Sequence, residues 1–302
     1  MTIFSPSAPA ELSPCRLCPR ACGADRSSSP GLCGATAELK IARAALHFWE
    51  EPCISGTSGS GAVFFSGCPL RCSFCQNRAV SRDGFGKTVS PERLVGICFE
   101  LKAAGAQNLN LVTPLHYAPL LRETLLPVKK ELGLPVVVNT GGYDSLRAVE
   151  LFNGLADVWL PDYKFFSPLV ARSLASAPDY PDVCRAALKA MFDQVGPPVF
   201  NENGALVRGM IVRHLVLPGF RRDSLSLLRS LRELFSPDQI LLSLMSQYAP
   251  MPGAKPPLDR TLTSFEYQSV CDLASSLGFV GFTQDRSSAS KDFIPPFDLT
   301  GV

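Results

Sequence analysis

The chain has 302 residues, with 29 Lys and Arg against 27 Asp and Glu, which gives a formal net charge of +2. This near-neutral balance, without a long run of one sign, excludes the basic surface typical of proteins that bind nucleic acids or membrane surfaces. No apolar run approaches the ~20 residues of a membrane span, and the first residues lack the pattern of a signal peptide, so we expect a cytoplasmic protein. Eleven cysteines in such a chain indicate metal ligation rather than disulfide bonds.

The first feature along the chain is a cysteine-rich segment. Its spacing of x2, x3 and x10 is set by Cys15, Cys18, Cys22 and Cys33. The segment has too few apolar residues to fold around a core of its own, so a bound metal is the expected source of its order. Four thiolates suit either a closed tetrahedral zinc or an iron–sulfur cluster, and the spacing does not choose between them. A segment that binds no metal is the third interpretation.

Residues 38–60 connect this segment to the rest of the chain. A strand is predicted at Leu39–Phe48, and a loop rich in Gly and Ser follows it. Cys53 lies alone in that loop, and we expect it to be unligated. The predicted domains are therefore a cysteine-rich module with its connector in 1–50 and a core in 51–302.

A second group of cysteines follows the apolar run 62–65. Cys68, Cys72 and Cys75 have the spacing C-x3-C-x2-C. Three thiolates in a tight loop can hold three corners of a cubic iron–sulfur cluster and leave the fourth iron open for chemistry, whereas clusters that only carry electrons usually have four cysteine ligands. A structural zinc site is the alternative, but it needs a fourth ligand, and no further cysteine or histidine lies in the next twenty residues.

At this loop the chain resembles the radical S-adenosylmethionine (radical SAM) superfamily, whose signature is C-x3-C-x-aromatic-C. Phe74 is the aromatic residue here, and we expect it to pack near the adenine of SAM. The sequences FFSGC at 64–68 and CQN at 75–77 are similar to those of pyruvate formate-lyase activating enzyme homologues that carry an N-terminal four-cysteine module. The resemblance extends over 15–298, which is nearly the whole chain.

The resemblance implies a [4Fe–4S] cluster whose open iron is chelated by the amino and carboxylate groups of SAM. One electron from the cluster cleaves SAM to methionine and a 5′-deoxyadenosyl radical, which removes hydrogen from a substrate. The resemblance also implies that the partner is a glycyl-radical enzyme such as pyruvate formate-lyase, and that a flavodoxin or ferredoxin supplies the electrons. Modification of a small molecule or of another peptide is the alternative. An iron–sulfur electron carrier and a zinc-stabilised binding protein are less favoured, because neither needs a long βα body.

From residue 61 onward, short β-branched or aromatic runs alternate with helical patterns, which predicts βα units around a parallel sheet. Six units are too few for a complete eight-unit barrel of ~250 residues, and the resemblance also implies the partial (βα)6 TIM-like barrel of radical SAM enzymes. The predicted strands cover 61–66, 108–113, 135–139, 157–160, 209–217, 239–245 and 278–283, and the predicted helices cover 91–104, 118–132, 144–154, 180–194, 222–235 and 263–276.

Polar residues near the carboxyl ends of these strands are the candidates for binding SAM, because ligands gather there in parallel sheets. Asn139 precedes two glycines that permit close approach of the backbone to a ligand. Asp162 and Lys164 lie two residues apart on an extended chain, so their side chains point the same way. The activating enzymes carry an Asp-x-Lys element here that faces the cofactor. Alternation puts Arg213 and His214 on opposite faces of their strand, and we expect Arg213 to face the cofactor.

The segment after the second strand of the core departs from the superfamily pattern. Most radical SAM proteins have a Gly-Gly-Glu segment there that binds the amino group of SAM, whereas this chain has LVTPLH at 111–116. Thr113, the backbone around Pro114 or His116 is expected to replace it.

Overall fold

The computed structural model describes residues 9–284 and 295–302, and a set of short strands forms the centre of this part of the chain. They are β1 (Leu39–His47), β2 (Ser60–Phe65), β3 (Lys87–Val89), β4 (Leu109–Val112), β5 (Val136–Thr140), β6 (Val158–Pro161), β7 (Val199–Phe200), β8 (Leu206–Leu215), β9 (Leu241–Met245) and β10 (Gly281–Thr283).

Helices connect most of these strands. They are α1 (Pro52–Ser55), α2 (Arg78–Ser81), α3 (Pro91–Ala103), α4 (Ala118–Leu125), α5 (Lys129–Leu132), α6 (Leu146–Leu151), α7 (Pro168–Ala175), α8 (Tyr180–Val195), α9 (Arg221–Leu234) and α10 (Ser264–Ser276), with a 3-10 turn at Leu115–Tyr117.

The strands form a single sheet in the order β10-β9-β8-β6-β5-β4-β2-β1-β3, with β7 beside β8. Neighbours from β2 to β10 along this path pair in parallel, whereas β1 runs antiparallel to β2 and β3 antiparallel to β1. Among the described strands the two ends of the sheet, β10 and β3, do not pair with each other. The sheet is therefore an open βα barrel, and the predicted fold class is confirmed.

Alternation along the strands separates an outer face from an inner one. Val63, Leu111 and Val138 lie on the outer face and belong to the main core, which the helices cover. On the inner face, Asn110 and Asn139 stand at the intervening positions and are buried as well. Because both faces are covered, the strands are almost continuously apolar in sequence, and the polar inner residues are exceptions that need partners.

Two segments close the inside of the barrel. Helix α1 packs Cys53 and Ile54 against Val137, Val158 and Ile211 near the amino ends of their strands. The C-terminal residues run along β1, where the Leu299 N–H donates to the Ala42 carbonyl at 3.2 Å and the Ala44 N–H to the Thr300 carbonyl at 2.9 Å. This tail places the Phe297 ring 5.5 Å from the Phe64 ring, on the inner face of β2.

The predicted helices and strands are present, but one predicted helix is two helices, and the structure has several short elements that were not predicted. The predicted helix 118–132 is two helices, because Pro127 lies between them and lacks the N–H that a continuous helix needs. The short elements α1, α2, α7, β3 and β7 were not predicted, since they are too short to show a clear hydrophobic period. No helix in the described part of the chain is long and apolar enough to cross a membrane.

Candidate active site

The three-cysteine loop leaves the end of β2 and crosses the mouth of the barrel. Cys72 is buried, and Cys68 and Cys75 are partly buried. Backbone hydrogen bonds fix the loop on both sides, from Gly67 N–H to the Val80 carbonyl at 3.0 Å and from Ser73 N–H to the Leu174 carbonyl at 2.7 Å.

The three thiols of the loop lie close enough for the charge of one to change the pKa of another. Burial raises the pKa of Cys68, and the negative charges of Cys72 and Cys75 raise it further. Burial also raises the pKa of Cys72, to about 11, although the ammonium of Lys164 opposes the rise. Cys68 and Cys72 are thus costly to ionise on their own, which fits a cationic iron–sulfur cluster, because the irons supply the positive charge that thiolates need.

Nowhere in the described part of the chain do three or more His, Cys, Asp or Glu side chains converge closely enough to hold a single metal ion. A cubic cluster is held by thiolates set around four irons, so they stand farther apart than the ligands of one ion.

The inner face of the barrel carries a polar network centred on Arg213. Its Nε donates to Asp162 Oδ1 at 2.9 Å, its Nη1 to Glu50 Oε2 at 3.1 Å and its Nη2 to Asn139 Oδ1 at 2.6 Å. Lys164 forms a short ion pair with the other oxygen of Asp162. The structure therefore brings together four of the five residues that were predicted to face the cofactor.

The charges of this network stabilise one another in a site that excludes most water. Burial opposes ionisation of Asp162, but Arg213 and Lys164 outweigh it and hold the pKa of the carboxyl below its usual range. Burial likewise opposes ionisation of Lys164, and the charge of Asp162 outweighs it and raises the pKa of the ammonium. Both side chains are less than one-fifth exposed, at 15% and 19%, so this pair remains charged near neutral pH.

The fifth predicted residue, Phe74, is buried and packs edge-on against Phe165, with the ring centres 6.0 Å apart. Phe165 directly follows Lys164 in the chain. Contact of Phe74 with the adenine of SAM stays a prediction.

Sequence reasoning missed two carboxylates, Glu50 and Glu51, which follow β1 and enter the barrel from its amino end. Glu50 Oε1 accepts from Asn110 Nδ2 at 3.1 Å and from Asn139 Nδ2 at 3.2 Å. Glu51 is buried, and its Oε2 has no hydrogen-bond partner. Burial raises the pKa of Glu51, although the charge of Arg213 opposes the rise. The available signal was a pair of acidic residues in a connector between two strands.

His116 lies behind the cysteine loop, where its Nε2 is 2.8 Å from the Ser66 carbonyl. Burial and the charge of Arg26 lower the pKa of His116 to about 3, so the imidazole is neutral. Thr113 adopts a left-handed backbone conformation with φ of 57° at the end of β4, and its N–H donates to the Asn139 carbonyl at 2.7 Å. Thr113, the backbone around Pro114 and His116 stay the predicted replacements for the Gly-Gly-Glu segment.

His214 faces away from the barrel interior, as alternation predicted. Its Nδ1 is 2.7 Å from the Tyr163 carbonyl and its Nε2 is 2.8 Å from Ser224 Oγ, so it serves the packing of β8 on α9. Arg213 alone of the charged pair contributes to the inner network.

The N-terminal cysteines gather beside the loop. Burial is the main cause that raises the pKa of Cys18, and the charges of Cys15, Cys22 and Cys33 raise it further. The four thiols therefore form one group. Cys15 and Cys33 are buried, whereas Cys18 and Cys22 are partly exposed. Cys53, by contrast, lies near the amino end of the barrel among apolar side chains, far from both groups in the fold.

Comparisons with known proteins agree with this geometry. Residues 54–154 match the family model of a 4Fe-4S single cluster domain, which supports the [4Fe–4S] cluster expected at the loop. An uncharacterized protein of Methanocaldococcus jannaschii is 27% identical over 275 residues, covering 86% of this chain and 74% of that protein.

Two solved structures share the fold at low sequence identity. Streptococcus suis SuiB, bound to its precursor peptide SuiA, has a TM-score of 0.51 and 12% identity over 72% of this chain. A cysteine-to-alanine mutant of spore photoproduct lyase has a TM-score of 0.50 and 12% identity, covering 73% of this chain and 74% of that one. Both neighbours are radical SAM enzymes. The chain has the fold of radical SAM enzymes.

Within this radical SAM fold, the cysteine loop and the polar network occupy the same end of the barrel. Gln76, directly after the loop, donates through Nε2 to the Gln247 carbonyl beyond the end of β9 at 3.4 Å. The loop therefore spans the mouth from β2 to β9 and lies above Asp162 and Lys164. The chain aligns with only 46% of the length of SuiB, so the activity of that protein is not carried over.

Proposed function

We propose that this chain is a radical SAM enzyme. The observation that carries the proposal is that the three-cysteine loop, with three of the four ligands of a cubic cluster, faces a buried network of paired charges at the mouth of the barrel. A bound SAM molecule carries an amino group, a carboxylate and a sulfonium, and a site of paired charges offers partners for such groups.

Each residue of the site has a proposed role. Cys68, Cys72 and Cys75 hold the cluster, which, when bound with SAM, supplies the electron that cleaves SAM and produces the radical for hydrogen abstraction. Asp162 and Lys164 present a carboxylate and an ammonium towards the loop.

Arg213 holds the Asp162 carboxylate of that ion pair, and Asn139 holds Arg213. The Arg213 guanidinium is held by three acceptors, so it presents its partner Asp162 in one orientation before any ligand arrives. The buried surroundings keep out solvent and small solutes, which limits side reactions of a radical.

The proposed substrate is a glycine of a glycyl-radical enzyme such as pyruvate formate-lyase, or another peptide. The support is the resemblance to activating enzymes at 64–77 and the peptide-bound neighbour SuiB, whose fold this chain shares. A one-electron donor of the flavodoxin or ferredoxin type is the second proposed partner. Exposed Arg71, Arg78 and Arg82 surround the loop and favour an acidic donor.

The proposal is tested by anaerobic reconstitution of the full chain with iron and sulfide, followed by addition of dithionite and SAM. We expect 5′-deoxyadenosine and methionine in equal amounts. Cys72→Ala removes a loop ligand and should abolish both products, whereas Cys271→Ala, in helix α10 and outside both cysteine groups, should retain them. Absence of 5′-deoxyadenosine from a protein that carries a [4Fe–4S] cluster would contradict the proposal.

The substrate is tested separately with candidate glycyl-radical enzymes and the active protein. A glycine-centred EPR signal that needs SAM and this chain supports protein activation. Formation of 5′-deoxyadenosine with no glycyl signal on any candidate partner would favour a small molecule or another peptide.

A further inference from the structure

The N-terminal module and the three-cysteine loop share a direct backbone contact. The Cys68 N–H donates to the Cys33 carbonyl at 2.9 Å. Cys33 is a proposed ligand in the module and Cys68 a proposed ligand in the loop, so one hydrogen bond links a ligand of one site to a ligand of the other. Gly67 leaves room for this contact, since a Cβ there would stand 2.7 Å from the Cys33 carbonyl oxygen.

Other contacts hold the module and the loop together. Arg20 of the module donates through Nε to the Pro69 carbonyl at 3.0 Å, and Arg71 of the loop donates to the Leu32 carbonyl at 3.3 Å. Cys18 and Cys68 line the same small cavity of about 20 Å³, which is room for about one water molecule. The module and the loop are therefore neighbours across a packed interface.

The module also has an outer side. Cys18 and Cys22 are partly exposed, whereas Cys33 is buried against the loop. A centre that receives electrons from another protein needs one side near the surface and one side near its acceptor, and this module has both. A metal that only stabilised the fold would need neither.

From this arrangement we infer that the four-cysteine module is a second redox centre, an iron–sulfur cluster that relays single electrons to the Cys68 loop through Cys33. The inference rests on the proposed function. One electron enters the module from a low-potential one-electron donor of the flavodoxin or ferredoxin type and leaves for the loop. One iron of the module is thereby oxidised from ferrous to ferric as one iron at the loop is reduced from ferric to ferrous, and no bond or proton is exchanged.

The test counts the metals and measures the magnetic interaction between the two sites in the reconstituted full chain. We expect about eight irons per chain from two four-iron clusters, and about four after Cys15→Ala with Cys18→Ala. Cys271→Ala is the matched control and should retain all of the iron. With both clusters reduced by dithionite, the magnetic interaction between them should split or broaden the EPR spectrum of the unsubstituted protein.

Two results would overturn the relay. One is a protein with about one zinc and four irons per chain, and the other is a protein with two reduced clusters whose EPR spectrum shows neither splitting nor broadening. The unsubstituted protein gives both readouts, so misfolding of the variants does not decide the outcome. A protein with four irons that still forms 5′-deoxyadenosine loses the relay and keeps the proposed function. A protein with two interacting clusters that never forms it keeps the relay and loses the proposed function.

Discussion

Arg213 Nε lies 2.9 Å from Asp162 Oδ1 inside the barrel, and this pair joins the end of β6 to β8. The isolated parallel bridge between the same two residues continues the register of β6 and β8 three residues beyond the last strand pair, Trp159 and Met210. The guanidinium thus holds the carboxylate that faces the cysteine loop, and two further hydrogen bonds tie it to Glu50 and Asn139.

Replacement of Arg213 should strongly destabilise the folded protein. Arg213→Met leaves Asp162 and Glu50 buried without their shared cation, so we expect the free energy of unfolding to fall by about 3–5 kcal/mol. Urea unfolding followed by circular dichroism measures the change. The matched control is Arg93→Met, which breaks the exposed pair with Glu100 and should cost at most about 1 kcal/mol. Equal losses in the two variants would contradict a central role for Arg213.

The adjacent carboxylates should respond in opposite ways to neutralisation. Glu50→Gln weakens the ion pair with Arg213 and should lower the free energy of unfolding by about 1–3 kcal/mol. Glu51→Gln removes a buried acid that has a partnerless oxygen. The pKa of Glu51 is raised in the fold, so its ionisation destabilises the protein as pH rises above the unfolded value near 4.5.

Glu51→Gln should therefore gain stability relative to the parent protein, and the gain should be larger at pH 8 than at pH 5. Unfolding titrations at the two pH values measure this difference. A gain that shrinks with pH, or a loss like that of Glu50→Gln, would show that Glu51 is paired and ionised.

Histidines should make the protein sensitive to mild acid. Burial lowers the pKa of His214 to about 4 and that of His116 to about 3, against 6.5 as the ordinary value. Between these pH limits the unfolded chain binds protons that the folded chain does not. The stability that the two neutral histidines contribute is therefore fully present above pH 6.5 and is lost as pH falls towards 4. The expected slope is about 1.4 kcal/mol per pH unit for each histidine.

Unfolding free energies measured from pH 7.5 to pH 5 test this slope. His214→Gln removes one titrating group and should give a shallower dependence on pH, whatever it does to stability at pH 7.5. An unchanged slope would mean that His214 is already protonated in the folded protein.

Each of the three loop cysteines should be required for binding of the loop cluster. Single replacement of Cys68, Cys72 or Cys75 by alanine should remove about four irons per chain, because a cubic cluster held by two protein thiolates is poorly retained. Iron analysis and the visible absorbance of anaerobically reconstituted protein measure the loss. Cys53→Ala is the control, since Cys53 packs among apolar residues near the amino end of the barrel, and it should keep its iron.

Gly67 should be needed to seat the module on the loop. Gly67→Ala adds a Cβ at 2.7 Å from the Cys33 carbonyl and at 3.2 Å from His116 Nε2, at a φ of +92°. Gly34→Ala is a close match, since Gly34 has a φ of +82° and open space around its Cβ position. Both variants carry the backbone strain of about 1–2 kcal/mol, and only Gly67→Ala should also lose iron or change the EPR spectrum. Identical behaviour of the two would mean that the contact is dispensable.

Much of this arrangement could be predicted from the sequence because it depends on local pattern. The spacing of Cys68, Cys72 and Cys75 follows from the geometry of a single loop, and the period-two alternation along β8 assigned Arg213 to the inner face and His214 to the outer one. The alternation of strand and helix patterns fixed the parallel sheet, and parallel strands bring their carboxyl ends together. The position of Asp162, Lys164 and Asn139 near strand ends, together with the Asp-x-Lys element of the resembling family, therefore predicted that these residues would meet without any knowledge of distance.

Tertiary structure alone decided which distant segments complete the site. Glu50 and Glu51 enter the barrel because β1 runs antiparallel to β2 and delivers the connector to the amino end of the sheet, and no local pattern encodes that path. The contact between Cys33 and Cys68 likewise joins residues that are 35 positions apart. Spacing identified two groups of cysteines, and only the packing of the module on the loop, through contacts such as the hydrogen bond from the Cys68 N–H to the Cys33 carbonyl, made them neighbours.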